Sequence, residues 1–390
     1  MKNSIIRNTE EMMNIPENNI EGPRGTRVEE YEKTLALGQS IFQRANLARD
    51  YALEWNPQNC NNLRIILING EPIAHVGFSQ REAFILGNRV TLGLIGGVCC
   101  HPDYRNRGFA SACFQDAMAQ LVRRGVTLMP VSGRRTLYFR HNCACAGVQY
   151  QATISQDKLP ANAPEGLSLR PYSKEMLESL LRIYQREPIR YIRTKEVFAM
   201  LMERGATEVI FLGDRPVAYL KSRGVEQSDD GSRRLSLYEL TGPRNLIVAA
   251  LPALVQQKNV DKLIFYPLYG TDDDIRIALE KIGVTVERSE GLAGTVRIIN
   301  FPLLMEQMSH YFREQLGNDF ERLIYYEQDG KFVFGLDRQR FELIDRTALA
   351  LFMLGPQQSK DAIEPPDGPL GDVLRTVFPM PYVFPGNDGV

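Results

Sequence analysis

Residues 105–110, Arg105-Asn106-Arg107-Gly108-Phe109-Ala110, place two arginines and a glycine directly before a helical pattern over residues 111–121. A turn of this kind is suited to holding phosphate. Gly108 lets backbone N–H groups approach an anion closely, and the new helix points its positive dipole end and unpaired N–H groups at the same place. Arg105 and Arg107 add fixed positive charge. The P-loop spacing GxxxxGK[ST] occurs nowhere in the chain, and the dinucleotide fingerprint GxGxxG is missing too, since Gly96-Gly97 lies inside a strand pattern. What remains is Arg-x-x-Gly-x-Ala, with an apolar strand over residues 94–100 and then Pro102 ahead of it.

The surrounding elements arrive in a definite order. Strand, proline, motif and amphipathic helix are followed by a further strand, Val126-Thr127-Leu128-Met129-Pro130-Val131. This resembles the acetyl-CoA pyrophosphate loop of the GNAT N-acetyltransferases. The resemblance implies acetyl-CoA as co-substrate, anchored by Arg105, Asn106, Arg107, Gly108, Phe109, Ala110 and Ser111. It also implies that the strand edge Val98, Cys99 and Cys100 pairs with the pantetheine arm, where a backbone N–H would polarise the thioester carbonyl.

Acetyl transfer to an amine further requires a neutral amine and a proton for the leaving thiolate. Tyr138, in the short helical stretch over residues 134–140, resembles the family's tyrosine proton donor in position. The usual glycine-aromatic pair after it is here Asn142-Cys143, and Tyr150 is the alternative. A phenol with an ordinary pKa near 10 can protonate a thiolate held within hydrogen-bond reach. His101 precedes Pro102 on the approach to the turn and faces cofactor or solvent, so it is left out of the catalytic set.

Around these residues the chain reads as successive αβ segments. Apolar residues between 27 and 52 recur at helical spacing. A hairpin follows, with strands over residues 63–68 and 73–78 about an Asn69-Gly70 turn, and then a strand over residues 89–100. After Pro160 the pattern starts again. Residues 210–218 echo residues 67–74, a strand covers residues 235–240 and a helix residues 246–257, with Thr241-Gly242-Pro243-Arg244-Asn245 between them in place of the phosphate motif. A third region opens at Thr295, with a helix over residues 301–316, a hairpin about Gln328-Asp329-Gly330, apolar helices and a proline-rich tail.

The expected fold is α/β (α+β), in four parts. Residues 1–22 form an N-terminal arm, and residues 23–160 a catalytic GNAT domain. Residues 161–294 form a second GNAT-like domain without a phosphate loop, and residues 295–390 a sterol-carrier-protein-like α+β domain. This plan resembles the Eis (enhanced intracellular survival) family. That resemblance implies acetyl-CoA-dependent N-acetylation of a small-molecule primary amine, aminoglycosides among the substrates, and a homo-oligomer, a hexamer. It also implies the C-terminal carboxylate as general base, which here is that of Val390. Glu54, beside the only tryptophan, Trp55, is the internal alternative. The competing reading is a lipid- or small-molecule-binding protein that retains a relic acetyltransferase fold.

Composition narrows the classes. The 390 residues call for more than one domain, and 44% hydrophobic with 24% charged residues describes a globular protein. A net charge of −1 argues against a nucleic-acid partner bound by a basic surface. No apolar run reaches the ~20 residues of a membrane span and no signal-peptide core opens the chain, so no membrane partner and a cytoplasmic location are expected. Six cysteines are read as reduced, structural thiols. Without a CxxC or HxxxH pair, and with histidines dispersed at 75, 101, 141 and 310, no metal site is expected.

Overall fold

The computed structural model describes residues 19–160, 163–269, 274–289, 294–384 and 386–388. Among these, two compact units are defined: residues 19–79 with 95–121, and residues 80–94 with 122–388.

The first unit opens with β1 (Ile20–Gly25), α1 (Tyr31–Phe42) and α2 (Leu47–Asp50). There follow β2 (Leu63–Ile68), β3 (Glu71–Ile85), β4 (Asn88–Cys100) and α3 (Phe109–Arg123), the far halves of β3 and β4 falling in the second unit. Its strands run in the order β1-β2-β3-β4. The β2–β3 turn is built on Asn69 and Gly70 at φ 53° and 78°, the two successive positive φ angles that a tight hairpin demands. α3 buries Cys113, Phe114, Ala117 and Leu121, and its Asp116 accepts from Arg64 Nε of β2. Around α1, Tyr31, Leu35, Leu47, Trp55, Cys60 and Leu63 form one apolar cluster.

The strand β1 departs from the expected arm over residues 1–22, of which residues 1–18 lie outside the described residues. Ile-Glu-Gly-Pro-Arg-Gly carries no apolar alternation, so no pattern announced a strand. An edge position tolerates its proline, and a register shift between Glu21 and Arg24 absorbs the irregularity.

The second unit continues with β5 (Leu128–Val131), α4 (Thr136–Arg140), β6 (Gln149–Ser155), β7 (Leu167–Pro171), α5 (Leu177–Tyr184) and β8 (Ile189–Tyr191). Next come α6 (Lys195–Met202), β9 (Ala206–Leu212), β10 (Arg215–Gln227), β11 (Arg233–Thr241), α7 (Arg244–Lys258) and β12 (Lys262–Tyr269). After α8 (Asp274–Lys281) and β13 (Val286–Ser289), β14 (Thr295–Ile298) leads to α9 (Phe301–Gln307), α10 (Ser309–Leu316) and α11 (Asn318–Arg322). The chain closes through β15 (Ile324–Gln328), β16 (Lys331–Leu336), β17 (Gln339–Leu343), α12 (Arg346–Leu354) and α13 (Pro369–Val377).

A seven-stranded sheet takes the order β13-β6-β12-β11-β10-β9-β7. Gln149–Ser155 thus joins this sheet, antiparallel to β12 and β13, while Thr295–Ile298 pairs with β5. The single helix expected over residues 301–316 is broken at Met308 into α9 and α10. The expected hairpin gains a third strand, giving the sheet β15-β16-β17.

One buried ionic cluster ties the C-terminal segment into the second unit. Asp388, 0% exposed, accepts from Arg81 Nη2 at 2.7 Å and from Arg193 Nε at 3.0 Å. Arg193 also forks onto Glu239 at 3.0 and 2.6 Å, and Tyr219 donates to Glu239 at 2.7 Å. Burial works against the Asp388 charge, but the guanidiniums of Arg193 and Arg81 outweigh it and hold the carboxyl below the usual range. Removing one member of such a cluster strands the others without compensation. Asp388→Ala is therefore expected to lower stability by roughly 3–5 kcal/mol in urea unfolding. A loss under about 1 kcal/mol, the worth of an exposed pair, would show that the cluster is not what holds the segment.

Candidate functional site

The turn singled out in the sequence follows directly on β4. His101 N–H donates to Ile73 O at 2.8 Å, and Arg105 Nε reaches back to Cys100 O at 3.3 Å. Asn106 and Gly108 then take φ values of 62° and 82°, after which α3 begins at Phe109. Residues 105–108 are exposed, and a methyl group added at Gly108 would meet no atom within 4 Å. Neither Arg105 nor Arg107 has an acidic partner among the described residues. Arg107 lies over the Tyr104 ring, 5.5 Å from its centre. Val98 and Cys99 are buried and Cys100 is half-buried. Burial pushes the Cys100 thiol up, with Arg105 and Arg107 acting in the opposite sense.

One strand turn earlier, β4 is irregular. Gly97 has φ 58°, and its carbonyl oxygen lies 2.7 Å from Nδ1 of His75 on β3. A carbonyl only accepts, so Nδ1 carries the proton. The imidazole is 0% exposed and stacks on Trp55 with ring centres 4.3 Å apart. Beside it Glu54, also 0% exposed, rests against Gly77 and Gly97: a Cβ at these positions would fall 2.0 and 2.4 Å from Glu54 Oε1. Among the described residues, both carboxyl oxygens and His75 Nε2 lack a hydrogen-bond partner. Burial pushes Glu54 up to about 8 and, outweighing the hydrogen bond to Gly97 O, pulls His75 down to about 4, so both are neutral at pH 7.

Tyr138 belongs to the second unit, 1% exposed on α4, where its backbone N–H and C=O bond to Arg135 and Cys143. Tyr150 lies on β6 with Arg276 over its ring. Val390 lies outside the described residues. All six cysteines are free thiols. Among the described residues no group of three or more His, Cys, Asp or Glu stands where it could hold a metal, and no helix is long and apolar enough to cross a membrane.

The segment 241–245, from β11 into α7, is another strand-to-helix turn with its own anion. Gly242 N–H donates to Glu187 Oε1 at 2.8 Å, and Arg244 forks onto both Glu187 oxygens at 3.0 and 2.7 Å. The start of α7 thus holds a carboxylate of its own chain. Sequence reading missed both this partner and His75, because neither lies near its target along the chain; the only local signal was the Gly96-Gly97 pair within a strand.

Residues 23–141 match the sequence model of the acetyltransferase (GNAT) domain. No curated protein matches the sequence. The fold is similar to that of a GCN5-related N-acetyltransferase from Anabaena variabilis, at 14% identity and TM-score 0.59, covering 83% of this chain and 85% of that one. It is similar to Eis1 from Mycobacterium abscessus, at 14% identity and TM-score 0.56, covering 85% and 88%. It is also similar to a probable N-acyltransferase from Enterococcus faecalis, at 15% identity and TM-score 0.58, covering 74% of each chain. The chain carries a GNAT acetyltransferase fold.

The buried pair makes stability depend on pH in a definite sense. Glu54 keeps its proton in the fold to about 8 but loses it near 4.5 when unfolded, so rising pH erodes stability between these values. His75 stays neutral in the fold down to about 4 but gains a proton near 6.5 when unfolded, so rising pH restores stability there. The two slopes oppose each other between 4.5 and 6.5, and from 6.5 to about 8 only that of Glu54 remains. The Tm is expected to fall across this upper window in the wild type and to stay level in Glu54→Gln. Parallel Tm-against-pH curves for the two proteins would refute the assignment.

Proposed function

We propose that the protein is an acetyl-CoA-dependent N-acetyltransferase of Eis-like plan, acting on a primary amine of a small molecule such as an aminoglycoside or polyamine. The observation that carries this reading is the turn at residues 105–111. Its exposed backbone turns through Gly108 at φ 82° into the N-terminus of a 15-residue helix, flanked by two arginines without acidic partners. Such a cradle fits a pyrophosphate. The contrasting turn at 241–245, filled by Glu187, supports confining the cofactor to the first domain.

In this reading Arg105, Asn106, Arg107, Gly108, Phe109, Ala110 and Ser111 hold the CoA phosphates, and residues 98–100 lie along the pantetheine arm. The bound thioester supplies the acetyl group. As the amine nitrogen bonds to the carbonyl carbon and the carbon–sulfur bond breaks, Tyr138 gives its hydroxyl proton to the leaving thiolate. The C-terminal carboxylate of Val390 takes the proton that the amine gives up. The domain plan of the sequence, a homo-hexameric assembly and a cytoplasmic location complete the proposal.

A second reading has one observation in its favour. The second unit holds a partly open cavity of about 910 Å3 lined by Tyr150, Val217, Pro243, Arg244, Tyr382 and Phe384 among others, a mixed polar and apolar space of a size that takes a small molecule. Calorimetry separates the two. Acetyl-CoA is expected to bind the wild type, and Gly108→Asp to abolish that binding by placing a side chain and a negative charge in the cradle, while the protein stays folded. Unchanged affinity in the folded variant would dismiss the cradle, and heat from a fatty acid without heat from acetyl-CoA would favour the binding protein.

Tyr138→Phe is expected to lower kcat by roughly 10²-fold or more, the range of lost general acid catalysis, with acetyl-CoA affinity nearly intact. Wild-type turnover would leave Tyr138 as a packing residue of α4.

A further inference from the structure

The cavity of about 910 Å3 in the second unit has room for a drug-sized molecule, and its lining says of which kind. Of the charged residues around it, Arg186 and Arg244 are positive and Glu187 and Asp274 negative, so the described lining carries no net charge. Arg244 and Glu187 are moreover closed on each other at 2.7 Å. An ion entering would give up its hydration and find no surplus of opposite charge in return, whereas a neutral molecule gives up far less. Flat walls come from the rings of Tyr150, Tyr382 and Phe384, which suit a ring-shaped guest.

Tyr382 adds a polar requirement. It is only 7% exposed and lines the cavity, and its hydroxyl has no hydrogen-bond partner among the described residues. Buried hydroxyls are ordinarily paired. The ring is held in place: Phe384 meets it at right angles with centres 4.9 Å apart, and it lies so close to Gly147 that a Cβ there would fall 3.0 Å from Tyr382 Cδ1. Burial pushes the phenol well above its usual range, so the hydroxyl keeps its proton and is a donor at pH 7.

We propose that this cavity is a second ligand site, taking an uncharged molecule with a ring-shaped apolar body and a carbonyl oxygen that accepts from the Tyr382 hydroxyl. The inference does not rest on the acetyltransferase reading, since every lining residue belongs to the second unit and the turn at residues 105–108 to the first. It also gives the pinned tail a purpose. Met380, Tyr382 and Phe384 form one wall, and Asp388, a few residues on, anchors that segment through Arg81 and Arg193.

Three probes with one body and different heads test the site: naphthylacetamide, naphthylacetate and naphthylethylamine, which are neutral, negative and positive at pH 7. In calorimetry with the full chain, the amide is expected to bind with Kd under about 1 mM, and each ion at least about tenfold more weakly. Tyr382→Phe is expected to weaken the amide by about 3–10-fold, the worth of one hydrogen bond, while Tm stays at the wild-type value because that hydroxyl has no partner in the fold to lose. Val217→Trp, which fills the cavity from β10, is expected to abolish binding. Absence of amide binding to the wild type overturns the proposal, and so does an ion bound as tightly as the amide. Unchanged amide affinity in Tyr382→Phe overturns it as well, whether or not the tryptophan variant folds.

Discussion

The first unit is organised around a carboxyl and an imidazole packed against two glycines with no side chain between. Glu54 occupies the room that a Cβ at Gly77 or Gly97 would need, and His75 takes the carbonyl of Gly97. Each substitution there has a steric answer: even alanine at either glycine would collide with Glu54. Leaving three polar atoms buried without partners among the described residues is costly, at ~1–3 kcal/mol for each unmade hydrogen bond. That cost falls where β4 departs from regular strand geometry, immediately before the residues proposed to line the pantetheine arm.

The second unit meets the same problem of buried charge in the opposite way. Asp388 and Glu239 are both satisfied, each carboxylate by a guanidinium and Glu239 also by the Tyr219 hydroxyl, while Arg81 Nε has no partner among the described residues. Paired charges of this quality specify geometry more than they add stability. Here the geometry is that of the chain's end, since Asp388 stands close to the C-terminus while its partners come from β3, the segment after β8 and β11. Any alteration of the tail that removes Asp388 therefore disturbs a buried cluster as well as the terminal carboxylate.

The two helix starts, at Phe109 and at Arg244, make the contrast behind the functional reading. Both follow a strand and a glycine at positive φ, 82° at Gly108 and 111° at Gly242. At the first, the arginines face solvent; at the second, Arg244 and Gly242 N–H already hold Glu187. A helix N-terminus attracts whichever anion is present. Supplying that anion from within the chain removes the site from competition for a ligand.

Much of this was legible along the chain where cause and effect are neighbours. The Asn69-Gly70 hairpin, the strand into the turn at residues 105–108, Gly108 before α3 and the lack of a second motif at 241–245 all follow from local φ preferences and spacing. β1 was not legible, because a Pro- and Gly-containing edge strand carries no alternation and is held by pairing with β2. Nor was the break at Met308, or the passage of Gln149–Ser155 into the second sheet, which depends on strands more than a hundred residues later. His75 looked like one dispersed histidine among four, and Glu54 like a carboxylate beside a tryptophan. Only folding set both against Gly97, 22 and 43 residues further on, and burial there, not residue type, made the one a poor base and the other a weak acid. Spacing determines what a turn can bind; which buried groups face one another is decided when the strands align.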